Sequence, residues 1–194
     1  MKRIFILLCF IFPVIGCDFS QSEPAKEEIE EVKLFYKKGN PFCNGAYKVF
    51  KKLGGKRREK IGTWKYYYPN KQINKIYKYV EDGKCNFYEI YNYDGKLSKS
   101  YENRGSRERY RAFYENGKIK EDVLEEFIGF DGNSRYDYMK ETITKYYKDG
   151  KVLSKRESVD ADEANGTLKL WDKEGSLVLT VGFNGNKLFP VNEE

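Results

Sequence analysis

The stretch Ile90-Tyr91-Asn92-Tyr93-Asp94-Gly95-Lys96-Leu97 decides the fold, because its pattern recurs along the chain. It consists of a pair of aromatic or large apolar residues, two or three polar ones, Gly, a polar residue that is usually Lys, and an aliphatic. The same order returns as Phe113-Tyr114-Glu115-Asn116-Gly117-Lys118-Ile119, as Tyr146-Tyr147-Lys148-Asp149-Gly150-Lys151-Val152 and as Leu170-Trp171-Asp172-Lys173-Glu174-Gly175-Ser176-Leu177. Two weaker copies come first. Phe35-Tyr36-Lys37-Lys38-Gly39-Asn40-Pro41 has Pro at the aliphatic position, and Tyr67-Tyr68-Pro69-Asn70-Lys71-Gln72-Ile73 has Lys where Gly belongs. The turn position thus falls at Gly39, Lys71, Gly95, Gly117, Gly150 and Gly175, with spacings of 32, 24, 22, 33 and 25 residues. Such intervals mark a repeat architecture in which two units carry insertions of about ten residues.

A second set of turn signals lies between these: Leu53-Gly54-Gly55, Asp82-Gly83, Arg104-Gly105, Asp131-Gly132, Asn165-Gly166 and Asn184-Gly185. Asp-Gly and Asn-Gly favour tight hairpins because both residues tolerate positive φ. The intervening segments alternate. Trp64, Tyr66 and Tyr68 share one face, and Leu177, Leu179, Val181 and Phe183 share another, which is the period of a half-buried strand. One segment dissents, since Val123, Leu124, Phe127 and Ile128 are spaced for one short helix, with Glu121-Asp122 at its start. The expectation is an all-β chain: an elongated antiparallel meander of tandem β-hairpins, each stable only against its neighbours.

Composition agrees. The 194 residues are 16% aromatic and 34% charged, with 36 Lys+Arg against 30 Asp+Glu, so a folded domain is expected rather than a disordered chain. The chain has no His. That removes Ser-His-Asp and Cys-His nucleophile pairs, His-ligated metals and His general bases together. No Gly-x-Ser-x-Gly, Walker loop or dinucleotide fingerprint is present. The run Asp160-Ala161-Asp162-Glu163-Ala164-Asn165-Gly166 offers carboxylates of the kind hydrolases use, but it reads as an acidic turn and lacks calcium-loop spacing. No catalytic residue, metal or cofactor is expected.

The N-terminus is distinctive. Met1-Lys2-Arg3 precedes an apolar run from Ile4 to Ile15 broken by Pro13, then Gly16 and Cys17. Positive charge followed by about a dozen apolar residues describes a signal peptide. Val14-Ile15-Gly16-Cys17 resembles the lipobox of bacterial lipoproteins, which implies cleavage after residue 16 and acylation of Cys17 as a membrane anchor. Residues 18–31 carry six carboxylates and one Lys and read as a solvated spacer. The expected organisation is a leader over 1–16, the lipidated Cys and acidic tether over 17–33, the repeat domain over 34–189 and a tail over 190–194. Two cysteines remain in the exported part, Cys43 and Cys85, either as a disulfide or as two free thiols, between which spacing does not choose.

The aromatic-pair, Asn/Asp-Gly-Lys, aliphatic unit resembles the variant MORN repeat of bacterial lipoproteins and YwqK-type antitoxins, over roughly residues 34–185. That resemblance implies a sheet of β-hairpins without known catalytic residues. The eukaryotic-type MORN signature is absent, so the lipid binding ascribed to it does not carry over. The functional expectation is a non-catalytic, lipid-anchored cell-envelope protein whose sheet is a binding or scaffold surface for a protein partner. The alternative is an antitoxin or immunity protein neutralising a toxin through that sheet. Lys56 to Lys60 and the four arginines between Arg104 and Arg111 are basic runs, read as solvated loops rather than a nucleic-acid site.

Overall fold

A computed structural model describes residues 26–52, 55–130, 137–159, 165–185 and 187–191. The order of elements follows the turn signals. β1 (Lys26–Phe35), β2 (Pro41–Lys52), β3 (Gly55–Tyr67), β4 (Ile73–Tyr79), β5 (Cys85–Tyr91) and β6 (Leu97–Asn103) form the N-terminal part. β7 (Arg107–Phe113), β8 (Ile119–Phe130), β9 (Asp137–Tyr146), β10 (Val152–Val159), β11 (Asn165–Trp171), β12 (Leu177–Asn184) and β13 (Lys187–Pro190) continue it. All thirteen form one sheet in strict sequence order, each antiparallel to the next. The two long repeat intervals fall on the two long hairpins: β2–β3, with strands of 12 and 13 residues, and β8–β9, with strands of 12 and 10.

The repeated motif builds one rim of this sheet. In the first turn Tyr36 N–H donates to the Asn40 carbonyl at 2.8 Å and Gly39 N–H to the Tyr36 carbonyl at 2.8 Å. This closes a three-residue hairpin loop whose last residue must be left-handed. The same pair of bonds closes the turns at 68–72, 92–96, 114–118, 147–151 and 172–176. Glycine holds the left-handed position in five of the six, and Lys71 holds it with φ 71° in the remaining one. An L side chain there costs about 1–2 kcal/mol.

The aromatic pair also has a structural job. A tyrosine that opens the turn reaches across to the carbonyl of the last strand residue before the next turn. Tyr36 Oη donates to the Tyr67 carbonyl at 2.8 Å, Tyr68 Oη to Tyr91 at 2.9 Å, Tyr114 Oη to Tyr146 at 2.7 Å and Tyr147 Oη to Trp171 at 2.9 Å. Asn40, Asn116 and Lys151 add side-chain bonds to the following turn's carbonyls. Asn92 occupies the tyrosine position in the third unit and makes no such bond among the described residues; its side chain is too short to span two strands. Successive turns are therefore stitched, with one stitch missing between the third and fourth.

Burial is sparse, as one sheet without a covering layer among the described residues requires. The buried apolar residues among them are Cys43, Val49, Trp64 and Phe183. Trp64 is 2% exposed because it lies flat over Gly45, where a Cβ would sit 2.2 Å from the indole, and its Nε1 donates to the Ala46 carbonyl at 3.1 Å. Phe183 lies over Gly166, where a Cβ would fall 1.8 Å from the Glu157 carbonyl oxygen and 2.8 Å from the Phe183 ring. Most stabilisation must come from backbone ladders and cross-strand side-chain pairs.

Three expectations are corrected, and the alternative left open for the two cysteines is decided. Val123–Ile128 is not helical but part of β8, and no helix occurs among the described residues. The acidic spacer does not extend to residue 33, because β1 begins at Lys26, its carboxylates pairing with neighbouring strands through Lys48–Glu27 at 2.9 Å and Arg58–Glu30 at 2.9 Å. Asn165-Gly166 is the start of β11 and not a turn: both residues pair with β10 and β12, and the Glu157 carbonyl and the Phe183 ring leave no room for a Cβ at Gly166. Cys43 and Cys85 are free thiols on β2 and β5. Three strand spacings, roughly 14 Å, separate them, far beyond the ~7 Å a disulfide spans. The leader, Cys17 and residues 160–164 lie outside the described residues, as does Asp131-Gly132.

Candidate functional site

Strand register sorts the side chains into two faces of different chemistry. On one face the directly opposed residues run Trp64, Tyr77, Tyr88, Tyr101, Tyr110 across β3 to β7. The same row continues as Val123, Ile143, Arg156, Leu168 and Val181 through β8 to β12. The rings touch in file: Phe42 and Tyr66 have centroids 6.2 Å apart, Tyr66 and Tyr77 5.9 Å, Tyr77 and Tyr88 5.9 Å, Tyr88 and Tyr101 5.2 Å. They are half-buried, so each leaves part of its surface to solvent.

Lysines stand beside the file. Lys60 Nζ lies 4.7 Å from the Trp64 ring centroid, 5.5 Å from Tyr79 and 5.7 Å from Tyr66, and donates to Tyr66 Oη at 3.0 Å. Burial alone would weaken this ammonium, but the Tyr66 hydroxyl and the surrounding phenols outweigh it, and the group is held above its ordinary pKa. Lys75, opposite Tyr66 and Ile90, and Lys99, opposite Ile90 and Ala112, flank the file toward the stitched rim. No carboxylate pairs with Lys60, Lys75 or Lys99 among the described residues. Burial pushes the phenols of Tyr79, Tyr88 and Tyr101 up, so they remain neutral hydroxyls at physiological pH. An open groove lined by Phe42, Lys60, Tyr66, Lys75, Tyr77 and Tyr79 lies over β3 and β4.

Further along the same face the chemistry changes sign. Glu108, Glu125 and Glu141 stand directly opposite one another on β7, β8 and β9. Glu108 is satisfied by Tyr101 Oη at 2.9 Å and Asn103 Nδ2 at 2.6 Å. Glu125, between two like charges, is pushed above the ordinary carboxylate range by burial and then by Glu108 and Glu141.

The opposite face is neutralised by ion pairs over β6 to β8. All four arginines of the basic run meet carboxylates: Arg104 with Glu102 at 2.7 Å, Arg107 with Glu126 at 2.5 Å, and both Arg109 and Arg111 with buried Asp122. Arg109 grips Asp122 with two bonds, and that hydrogen-bonded pairing raises its pKa. Arg57 meets Glu59 on this face, and Arg58 meets Glu30 on the face of Lys60, near the first edge of the sheet. The arginines of both basic runs are thus ion-paired rather than a free positive field.

Gly39, Gly95, Gly117, Gly150 and Gly175 all lie on the stitched rim, away from the groove. The thiol of Cys43 is buried beside the aromatic file and pushed up by that burial despite the nearby Lys60, which keeps it protonated and unreactive. Sequence reasoning missed Lys60, Lys75 and Lys99 as a group. The signal existed in the alternation Lys75-x-Tyr77-x-Tyr79 and Lys99-x-Tyr101, which places each lysine on its neighbours' aromatic face. Neither a family model nor a characterised protein matches the chain.

Proposed function

We propose that the chain is a lipid-anchored cell-envelope protein of the variant-MORN type whose aromatic sheet face is a non-catalytic binding surface. The observation that carries this reading is the file of half-exposed rings in contact across β3 to β6, with Lys60, Lys75 and Lys99 beside it and without carboxylate partners among the described residues. The lipobox-like Val14-Ile15-Gly16-Cys17 supplies the anchoring half of the proposal.

Two measurements test it. Cys17→Ala should move the protein from the membrane to the soluble fraction; equal membrane association in wild type and variant contradicts the anchor. A photo-crosslinker at Tyr88 should capture envelope material, whereas one at Lys65 on the opposite face should not. Equal capture from both positions contradicts the binding surface.

A further inference from the structure

We infer that the groove over β3 and β4 and the ring file leading from it bind an acidic polysaccharide, a chain of pyranose rings bearing carboxylates. This rests on the reading of the aromatic face as a binding surface and names its ligand. The ligand must be recognised by side chains alone. β3, β4 and β5 lie inside the sheet, where their backbone groups are committed to neighbouring strands, so an extended peptide cannot add itself there as a strand. What the surface offers is aromatic ring, neutral phenol hydroxyl and ammonium. A pyranose presents the complement, with an apolar C–H face that packs on a ring and hydroxyls at its rim.

Charge selects among sugars. Lys60, Lys75 and Lys99 share the face and lack carboxylate partners among the described residues, so a polymer with regularly spaced carboxylates gains three ion pairs that a neutral glycan does not. Ring geometry argues against single-stranded nucleic acid. A run of consecutive bases needs successive ring faces, yet over the groove Phe42 meets Tyr66 at 79° and Tyr66 meets Tyr77 at 87°, edge to face, and only the last pair of the file, Tyr88 with Tyr101 at 19°, presents parallel rings.

The test uses the full chain in detergent micelles, titrated calorimetrically with polygalacturonate, dextran, poly-L-glutamate and oligo-dT. Polygalacturonate should bind best, with affinity falling as salt rises, and the double variant Lys75→Ala/Lys99→Ala should weaken it at least tenfold. Lys148→Ala, in an exposed turn of the stitched rim, should change affinity less than twofold, and circular dichroism should show every variant folded. Equal binding of poly-L-glutamate or oligo-dT, absence of polygalacturonate binding, or an unaffected double variant overturns the assignment. If polygalacturonate fails while the Tyr88 crosslinker still captures material, the glycan is wrong and the binding surface stands; if both fail, both readings fall.

Discussion

The two halves of the sheet share one backbone plan and differ in what they hang on it. Both consist of hairpins closed by the same five-residue turn and stitched by the same tyrosine-to-carbonyl bond. Yet a single cross-strand row reads Trp64, Tyr77, Tyr88, Tyr101, Tyr110 in one half and Val123, Ile143, Arg156, Leu168, Val181 in the other. The next row toward the opposite rim passes from Tyr79 beside Lys60 to Glu108, Glu125 and Glu141. Architecture is therefore carried by turns and ladders, and the face is free to specialise. In a stacked repeat each unit contacts only its neighbours, so replacing rings by carboxylates three strands away leaves the aromatic half intact.

The comparison can be broken most forcefully at Trp64. Trp64→Ala should destabilise the protein by about 3–5 kcal/mol, read as a fall in the urea midpoint, whereas Val123→Ala in the same row should cost about 1 kcal/mol. Gly45→Ala attacks the same spot from beneath. Its Cβ displaces the indole and should cost about 1–3 kcal/mol, accompanied by a shift in tryptophan fluorescence.

The stitched rim gives smaller effects that sharpen the picture. Tyr147→Phe removes one inter-turn bond and should cost about 1 kcal/mol, while Asn92→Ala, where the stitch is missing, should stay within roughly 0.5 kcal/mol. Lys71→Gly relieves the left-handed lysine and should raise stability by about 1 kcal/mol. The smallest effect is a pH dependence. Glu125 is raised in the folded state, so its ionisation opposes folding above that raised value, and the opposition fades as pH falls toward the ordinary carboxylate range. Glu125→Gln should therefore stabilise the protein at pH 7 and make no difference near pH 4. An equal gain at both values contradicts the like-charge row.

The repeats were legible because their turn demands a left-handed residue, and glycine before Lys advertises it. The stitch was visible only as an unexplained aromatic pair. Its purpose needs the register, since Tyr114 and Tyr146 are 32 residues apart in sequence and adjacent in the sheet. The helix expected over 123–128 failed for a physical reason. In a sheet without a second layer both faces are partly buried, so Val123 and Leu124 are apolar on opposite faces, and the bulge after Phe127 shifts the alternation again. The acidic N-terminal run misled for another reason. Composition shows its net charge but not the lysines and arginine waiting on β2 and β3. Lys75 and Lys99 were legible in the alternation with their tyrosines, whereas Lys60 was hidden by the irregular register between Ile61 and Lys65, which separates it from Trp64 and Tyr66.

One uninterrupted register row crosses the sheet from Trp64 to Val181. Nuclear magnetic resonance measures it directly, through cross-strand contacts between opposed residues. Contacts should run Trp64–Tyr77, Tyr77–Tyr88, Tyr88–Tyr101, Tyr101–Tyr110, Tyr110–Val123 and onward to Leu168–Val181, with none joining β1 to β13. A register shifted by one residue at any of these pairs, or contacts closing the two edge strands into a barrel, would contradict it.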